Sequence, residues 1–287
     1  MEVIRAEMAG FCMGVSLAVG KLDAMLETKN SKNPGARLYT LGPIIHNPKF
    51  VRDYAEKGVF CLTEPYKLEP GDTVVIRAHG VPCAVEESLR SLGVNIIDAT
   101  CPKVKAAQLG IHRAASRTAG TLLLYGEYEH PEVKGLLSYA GADALVFSSL
   151  EALKGIRLDK GREYFLAAQT TQEKNIFDAA VAYINSELGR ETEVLNTICG
   201  ATRERQDEVI ELCSRVRSMV IVGGMNSGNT RRLAEIAQKM VTFALHCEDG
   251  RNLPLDKLCA LQPVGLSAGA STPASHIDEV EGILRMA

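Results

Sequence analysis

Three cysteines, Cys12, Cys101 and Cys199, share a setting in which a thiolate could do chemistry. In Asp98-Ala99-Thr100-Cys101-Pro102 an apolar strand-like run, Val94 to Ile97, ends and a run of helical period, Lys103 to about Ser116, begins. Proline suits the first helical position, where its missing N–H is not needed. The free amides and dipole of a helix start favour a thiolate at Cys101. The construction recurs where Val3-Ile4 leads through Ala9-Gly10-Phe11 to Cys12 and a helix from Val15 to Met25. It recurs again where Asn196-Thr197-Ile198 leads to Cys199 and a helix from about Thr202 to Val216. Any one of these cysteines could be an ordinary small apolar residue; three in one setting suggest a single site shared by three lobes. Cys61, Cys83, Cys213, Cys247 and Cys259 fall inside regular runs or off the repeated turn and read as structural, Cys83 least clearly. Structural zinc wants four ligands in short paired spacings, which this chain lacks. Three thiolates suit a 4Fe-4S cluster whose fourth iron keeps an open position and acts as a Lewis acid toward a substrate oxygen.

Other polar residues fall at the ends of strand-like runs. His46, His79 and His130 each follow one, and Glu132 lies two residues beyond His130. A single such histidine is usually a hydrogen-bonded turn residue; three facing one crevice read as ligands. Glu132 reads either as a proton donor, if its surroundings keep it protonated, or as a first-turn carboxylate supporting a helix start. Thr170 and Thr171 could orient a substrate hydroxyl or be plain turn residues. Gly223-Gly224-Met225-Asn226-Ser227-Gly228-Asn229-Thr230 nearly matches a phosphate loop, but Asn229 replaces the lysine, which removes the charge an NTPase needs. What remains is a glycine-rich turn that is either an anion cradle or a solvated loop. Ser271 sits in the equivalent last turn.

These residues need a scaffold that brings strand ends together. Strand-like runs such as 37–41, 59–62, 73–77, 122–125, 144–147, 164–167, 219–222, 242–245 and 264–267 alternate with helical ones, the pattern of parallel α/β folds. The alternation repeats three times and predicts three α/β lobes: 1–99 with Cys12, His46 and His79; 100–197 with Cys101, His130, Glu132 and Thr170; and 198–287 with Cys199, Ser227, Asn229 and Ser271. A surface loop is expected over 30–36. The 287 residues carry a net charge of −3, which argues against a broad nucleic-acid or anionic-membrane surface. Eight cysteines without a secretory leader or a run long enough to span a bilayer point to a reducing, cytoplasmic setting.

Taken together, Gly10-Phe11-Cys12-x-Gly14-Val15, Ile45-His46-Asn47, Ala78-His79-Gly80-Val81, Asp98-Ala99-Thr100-Cys101-Pro102, His130-Pro131-Glu132-Val133, Gln169-Thr170-Thr171, Ile198-Cys199-x-Ala201-Thr202, Asn226-Ser227-x-Asn229 and Ala268-Gly269-Ala270-Ser271-x-Pro273 resemble the IspH (LytB) family. The match runs in order over nearly the whole chain. The resemblance implies a 4-hydroxy-3-methylbut-2-enyl diphosphate reductase, the last step of the non-mevalonate isoprenoid pathway, built as a cloverleaf of three lobes around a 4Fe-4S cluster. It assigns the cluster to Cys12, Cys101 and Cys199. It assigns the diphosphate to His46, His79, Ser227, Gly228, Asn229 and Ser271 with His130 close by, and proton delivery to Glu132 and Thr170. It further implies an external low-potential electron donor, such as a ferredoxin or flavodoxin, and isopentenyl and dimethylallyl diphosphate as products. Gly228 departs from the pattern, because relatives often carry a second serine there. The competing readings are a 4Fe-4S hydro-lyase, which needs no electrons, and an iron–sulfur sensor or carrier, which needs no anion pocket.

Overall fold

A computed structural model describes every residue except 33–36, 46, 64, 119 and 142. The chain opens with β1 (Val3–Arg5) and α1 (Met13–Lys32), then β2 (Leu38–Leu41), α2 (Pro48–Glu56), β3 (Val59–Leu62), β4 (Thr73–Ile76), α3 (Cys83–Ser91) and β5 (Asn95–Asp98). It continues with α4 (Pro102–Thr118), β6 (Thr121–Tyr125), α5 (Pro131–Leu137), β7 (Ala144–Phe147), α6 (Leu150–Lys154), β8 (Tyr164–Ala168), α7 (Lys174–Leu188) and β9 (Glu193–Val194). The last third holds α8 (Gly200–Cys213), β10 (Ser218–Val222), α9 (Gly228–Met240), β11 (Phe243–Cys247), α10 (Leu255–Ala260), β12 (Val264–Ala268) and α11 (Ala274–Met286).

The strands form three four-stranded sheets with one repeated order: β3-β2-β4-β5, β7-β6-β8-β9 and β11-β10-β12-β1. The α/β class and the three lobes expected from the alternation are therefore present. The first and third lobe boundaries differ from expectation. β1 does not open the first lobe; Val3, Ile4 and Arg5 pair in parallel with Val264, Gly265 and Leu266 of β12. The third lobe thus takes its last strand from the start of the chain, and Cys12 belongs to that lobe. By packing, the chain forms two compact units: residues 1–19, 43–59 and 200–287, and residues 20–42 and 60–199.

The sheets of the second and third lobes are apolar on both faces, as parallel sheets flanked by helices on each side must be. In β10, Val220 and Val222 pack with Leu266, Ile277, Val280 and Leu284, while Met219 and Ile221 face Val209, Leu212 and Leu233. In the second lobe Leu123, Tyr125 and Leu166 meet Phe177 and Ile184, and Leu122, Leu124 and Phe165 meet Ile111 and Leu136 on the other face. Burial of each such side chain contributes roughly 1.5–3 kcal/mol.

Two local expectations shift. α1 runs to Lys32, into the predicted loop, whose residues 33–36 lie outside the described ones. The run Asn196-Thr197-Ile198 is not a strand; Thr197 Oγ1 accepts from Ala168 N–H at 2.8 Å and donates to Ala168 C=O at 2.6 Å, replacing a ladder by side-chain bonds. Among the described residues no helix is long and apolar enough to cross a membrane.

Candidate active site

The three cysteines are held alike. Each is the residue just before a helix, α1, α4 or α8. Each backbone N–H donates to a carbonyl two residues beyond the end of a third strand: Cys12 to Ala270 at 3.1 Å, Cys101 to Ala78 at 2.9 Å and Cys199 to Thr170 at 2.8 Å. The accepting residues follow β12, β4 and β8, so each sheet offers one cysteine at its carboxyl edge, the edge where α/β proteins bind ligands. All three are half-buried. Half-buried thiols at helix starts have the chemistry of iron–sulfur cluster ligands. Among the described residues no three histidine, cysteine or carboxylate side chains are gathered tightly enough to grip a metal ion.

The other cysteines are placed differently. Burial pushes the Cys213 thiol up and the Cys247 thiol up to about 12, so both stay protonated. Cys61 and Cys259 lie within β3 and α10. Cys83 does begin a helix, but its N–H donates to the Ser138 hydroxyl at 3.0 Å, not to a strand end.

The second lobe joins its polar residues into one network. His130 caps α5, with Nδ1 accepting from Glu132 N–H at 3.2 Å; a neutral ring then carries its proton on Nε2. Glu132 lies in the first turn of α5, but its carboxylate turns away from that helix. Its Oε1 accepts from Thr170 N–H at 2.6 Å and its Oε2 from the Thr170 hydroxyl at 3.1 Å. Only 2% of Glu132 is exposed. Burial raises its pKa to about 6 against the opposing pull of the two Thr170 bonds. Thr170 also supplies the carbonyl that holds Cys199. Gln169 braces the turn, its Oε1 accepting from Glu127 N–H and from Gln172 Nε2, each at 3.1 Å.

His79 in the same compact unit meets the His130 ring edge-on, with centroids 5.3 Å apart. Gly80, at φ +70°, closes its turn against Thr100 and Gln108; a Cβ there would stand 2.7 Å from Gln108 Nε2. His46 lies outside the described residues. Its neighbour Asn47 caps α2 by accepting from Phe50 N–H at 3.1 Å.

In the third lobe Ser227 caps α9, its Oγ accepting from Thr230 N–H at 3.4 Å. Gly228 and Asn229 form the first turn, which holds no acidic residue. Asn229 is 8% exposed, and both polar atoms of its amide are buried without a hydrogen-bond partner. The Thr230 hydroxyl is likewise unpartnered. Unmet groups of this kind cost about 1–3 kcal/mol each and are kept where a ligand supplies the bonds. Ser271 is half-buried, one residue beyond the Ala270 carbonyl that holds Cys12. The sequence did not single out Arg205 and Glu208, which bind the loop leading to Cys12; polar residues three apart on a helix look like a solvated face, and only burial reveals them.

Fold and site together define a three-lobed parallel α/β protein with one cysteine at the carboxyl edge of each sheet and a buried carboxyl of raised pKa joined to one of them through Thr170. The chain belongs to the LytB protein family, whose model matches residues 3–285. A protein of Nitratidesulfovibrio vulgaris (strain Miyazaki F) named 4-hydroxy-3-methylbut-2-enyl diphosphate reductase is 52% identical over 284 residues, 99% of each chain. One of that name from Aquifex aeolicus is 41% identical over 98% of this chain and 95% of its own. A solved (E)-4-hydroxy-3-methyl-but-2-enyl diphosphate reductase, described as the terminal enzyme of the non-mevalonate pathway, matches with a TM-score of 0.73 at 39% identity over 100% of this chain and 99% of its own. The Plasmodium falciparum E-1-hydroxy-2-methyl-but-2-enyl-4-diphosphate reductase shares the fold, with a TM-score of 0.90 at 21% identity, over 99% of this chain and 87% of its own.

Proposed function

We propose that this protein reductively dehydroxylates 4-hydroxy-3-methylbut-2-enyl diphosphate to isopentenyl and dimethylallyl diphosphate, with Cys12, Cys101 and Cys199 holding a 4Fe-4S cluster. The balance is one substrate hydroxyl, two electrons and two protons in, and one C–H bond and one water out. The cluster would supply electrons and a Lewis-acidic iron. Everything else falls to the chain. Ser227, Asn229 and Ser271 offer donors to the diphosphate, Asn229 with an amide no protein group satisfies. His46, His79 and His130 add to the anion-binding set, and the Gly228 amide stands where a relative's serine would add a hydroxyl.

The observation that carries the reading is the junction at Thr170. Its N–H and hydroxyl orient a carboxyl with a pKa of about 6, and its carbonyl fixes a cysteine. A buried acid whose pKa is raised toward neutrality, tied through one residue to a cysteine, suits a reaction in which oxygen leaves as water. In this reading electrons come from an external low-potential donor of the ferredoxin or flavodoxin class, and the enzyme works in the cytoplasm. The test is anaerobic purification with iron and sulfide analysis, followed by assay with and without a reduced low-potential dye. Four irons and four sulfides per chain with reductant-dependent conversion support the reading. Conversion without reductant would make it a hydro-lyase.

A further inference from the structure

The three cysteines are reached from their strands by tethers of different length, and each tether has its own lock. Between β5 and Cys101 lie only Ala99 and Thr100; Ala99 N–H donates to Ile76 C=O at 3.0 Å and Thr100 N–H to the Asp98 carboxylate at 2.9 Å. Between β9 and Cys199, Thr197 ties the path to Ala168 through its hydroxyl. The path from β1 to Cys12, Ala6 to Phe11, is the longest and contains no regular structure. Ordering each residue of such a loop costs about 1–2 kcal/mol of backbone entropy, so its polar groups need fixed partners.

Two side chains of α8 supply them. Glu208 accepts from Glu7 N–H at 2.5 Å through Oε1 and from Met8 N–H at 3.1 Å through Oε2. The Arg205 guanidinium donates to Met8 C=O through Nε at 3.0 Å and Nη2 at 2.7 Å, and to Gly10 C=O at 2.9 Å. Arg205 is 2% exposed. Gly10, at φ +115°, completes the turn against Ile277, whose Cδ1 would lie 3.2 Å from an added Cβ. Four backbone groups within the six residues before Cys12 are thus held by one helix. The flat guanidinium fork spans two carbonyls at once, which a lysine amine cannot reproduce.

We propose that Arg205 and Glu208 are positioning residues that clamp this loop and set Cys12 as a ligand of the iron–sulfur cluster; the proposal rests on the reading of Cys12 as a ligand. They act through the backbone and touch neither substrate nor reacting atoms. The clamp can be tested on anaerobically reconstituted holoenzyme by following iron release to a ferrous chelator alongside melting temperature. The set is the wild type, Arg205→Met, Arg205→Lys, Glu208→Gln and Leu258→Ala, the last a core truncation in the same lobe on α10. Loss of a residue that orients a metal ligand typically costs about 10- to 100-fold in metal affinity, so Arg205→Met should release iron faster by about that factor. Arg205→Lys, which keeps the charge and one bond, should fall between it and the wild type. Leu258→Ala should release iron at the wild-type rate despite a lower melting temperature. If Arg205→Met does not fold, the lysine and glutamine variants carry the comparison. Iron release that tracks melting temperature across the set, Leu258→Ala included, would overturn the clamp while leaving the cluster in place. A wild type that takes up no cluster would overturn the reading beneath it.

Discussion

Glu132 is the residue at which chemistry and stability pull in opposite directions. The sequence offers two readings of it, proton donor and helix-start carboxylate, and in the fold its carboxylate accepts both its hydrogen bonds from Thr170, outside α5. Burial raises its pKa from the ordinary 4.5 to about 6, so the folded protein holds the proton more tightly than the unfolded chain does. The associated stability is fully present below pH 4.5 and is lost as pH rises through about 6. A shift of this size corresponds to about 2 kcal/mol. Glu132→Gln removes the charged form, so relative to wild type it should gain about 2 kcal/mol between pH 4.5 and 7.5, read from denaturant midpoints at several pH values. The same variant should bind substrate and lose turnover by at least ~100-fold, because glutamine has no proton to give. In the wild type, turnover should decline above pH 6 as the acid ionises. Near-normal turnover in the variant would reduce Glu132 to a structural role. Asn229 makes the converse case. Asn229→Ala removes two unmet polar atoms and places a better helix former in α9, so the ligand-free protein should melt no lower than wild type. Its affinity for inorganic diphosphate should fall by about 10-fold or more, the equivalent of one ~1.4 kcal/mol hydrogen bond. Calorimetry on one pair of samples reads both.

At the scale of elements, the cysteine turns were legible because their signals are local: an apolar run, a turn, a cysteine, then helical period. What the sequence could not display was the common lock, an N–H bonded two residues past a neighbouring strand, since that partner lies far away in the chain. β1 was misplaced for the same reason. A short strand shows that it will pair, but not with which sheet, and its partner β12 comes at the other end of the sequence. The run at 196–198 looked like a strand from its residue types, and a single hydroxyl overrode that preference. The placement of the cysteines makes a graded prediction. Alanine at Cys12, Cys101 or Cys199 should abolish or sharply lower iron content, whereas serine at Cys61 or Cys259 should leave it intact. A full cluster in a Cys199 variant, by iron and sulfide analysis, would break the three-ligand account. Packing can be checked apart from chemistry: Phe177→Ala in α7 empties the core of the second lobe and should cost about 3–5 kcal/mol of stability.

For the whole molecule, the repeated strand order gives three lobes one plan, and the borrowed β1 ties the end of the chain to its start. Ser227, Asn229 and Ser271, the proposed anion donors, belong to one compact unit, and Glu132 with Thr170, the proposed proton source, belongs to the other. The proposed reaction is a reductive dehydroxylation. It replaces the substrate's C–O bond by a C–H bond whose hydrogen comes from an exchangeable acid. The most direct test is therefore turnover in deuterated water with a reduced low-potential dye, with the five-carbon diphosphate products weighed by mass spectrometry. The account predicts products that have lost the hydroxyl and gained one carbon-bound deuterium, formed only when reductant is present. Products without deuterium, or the same conversion without reductant, would contradict it.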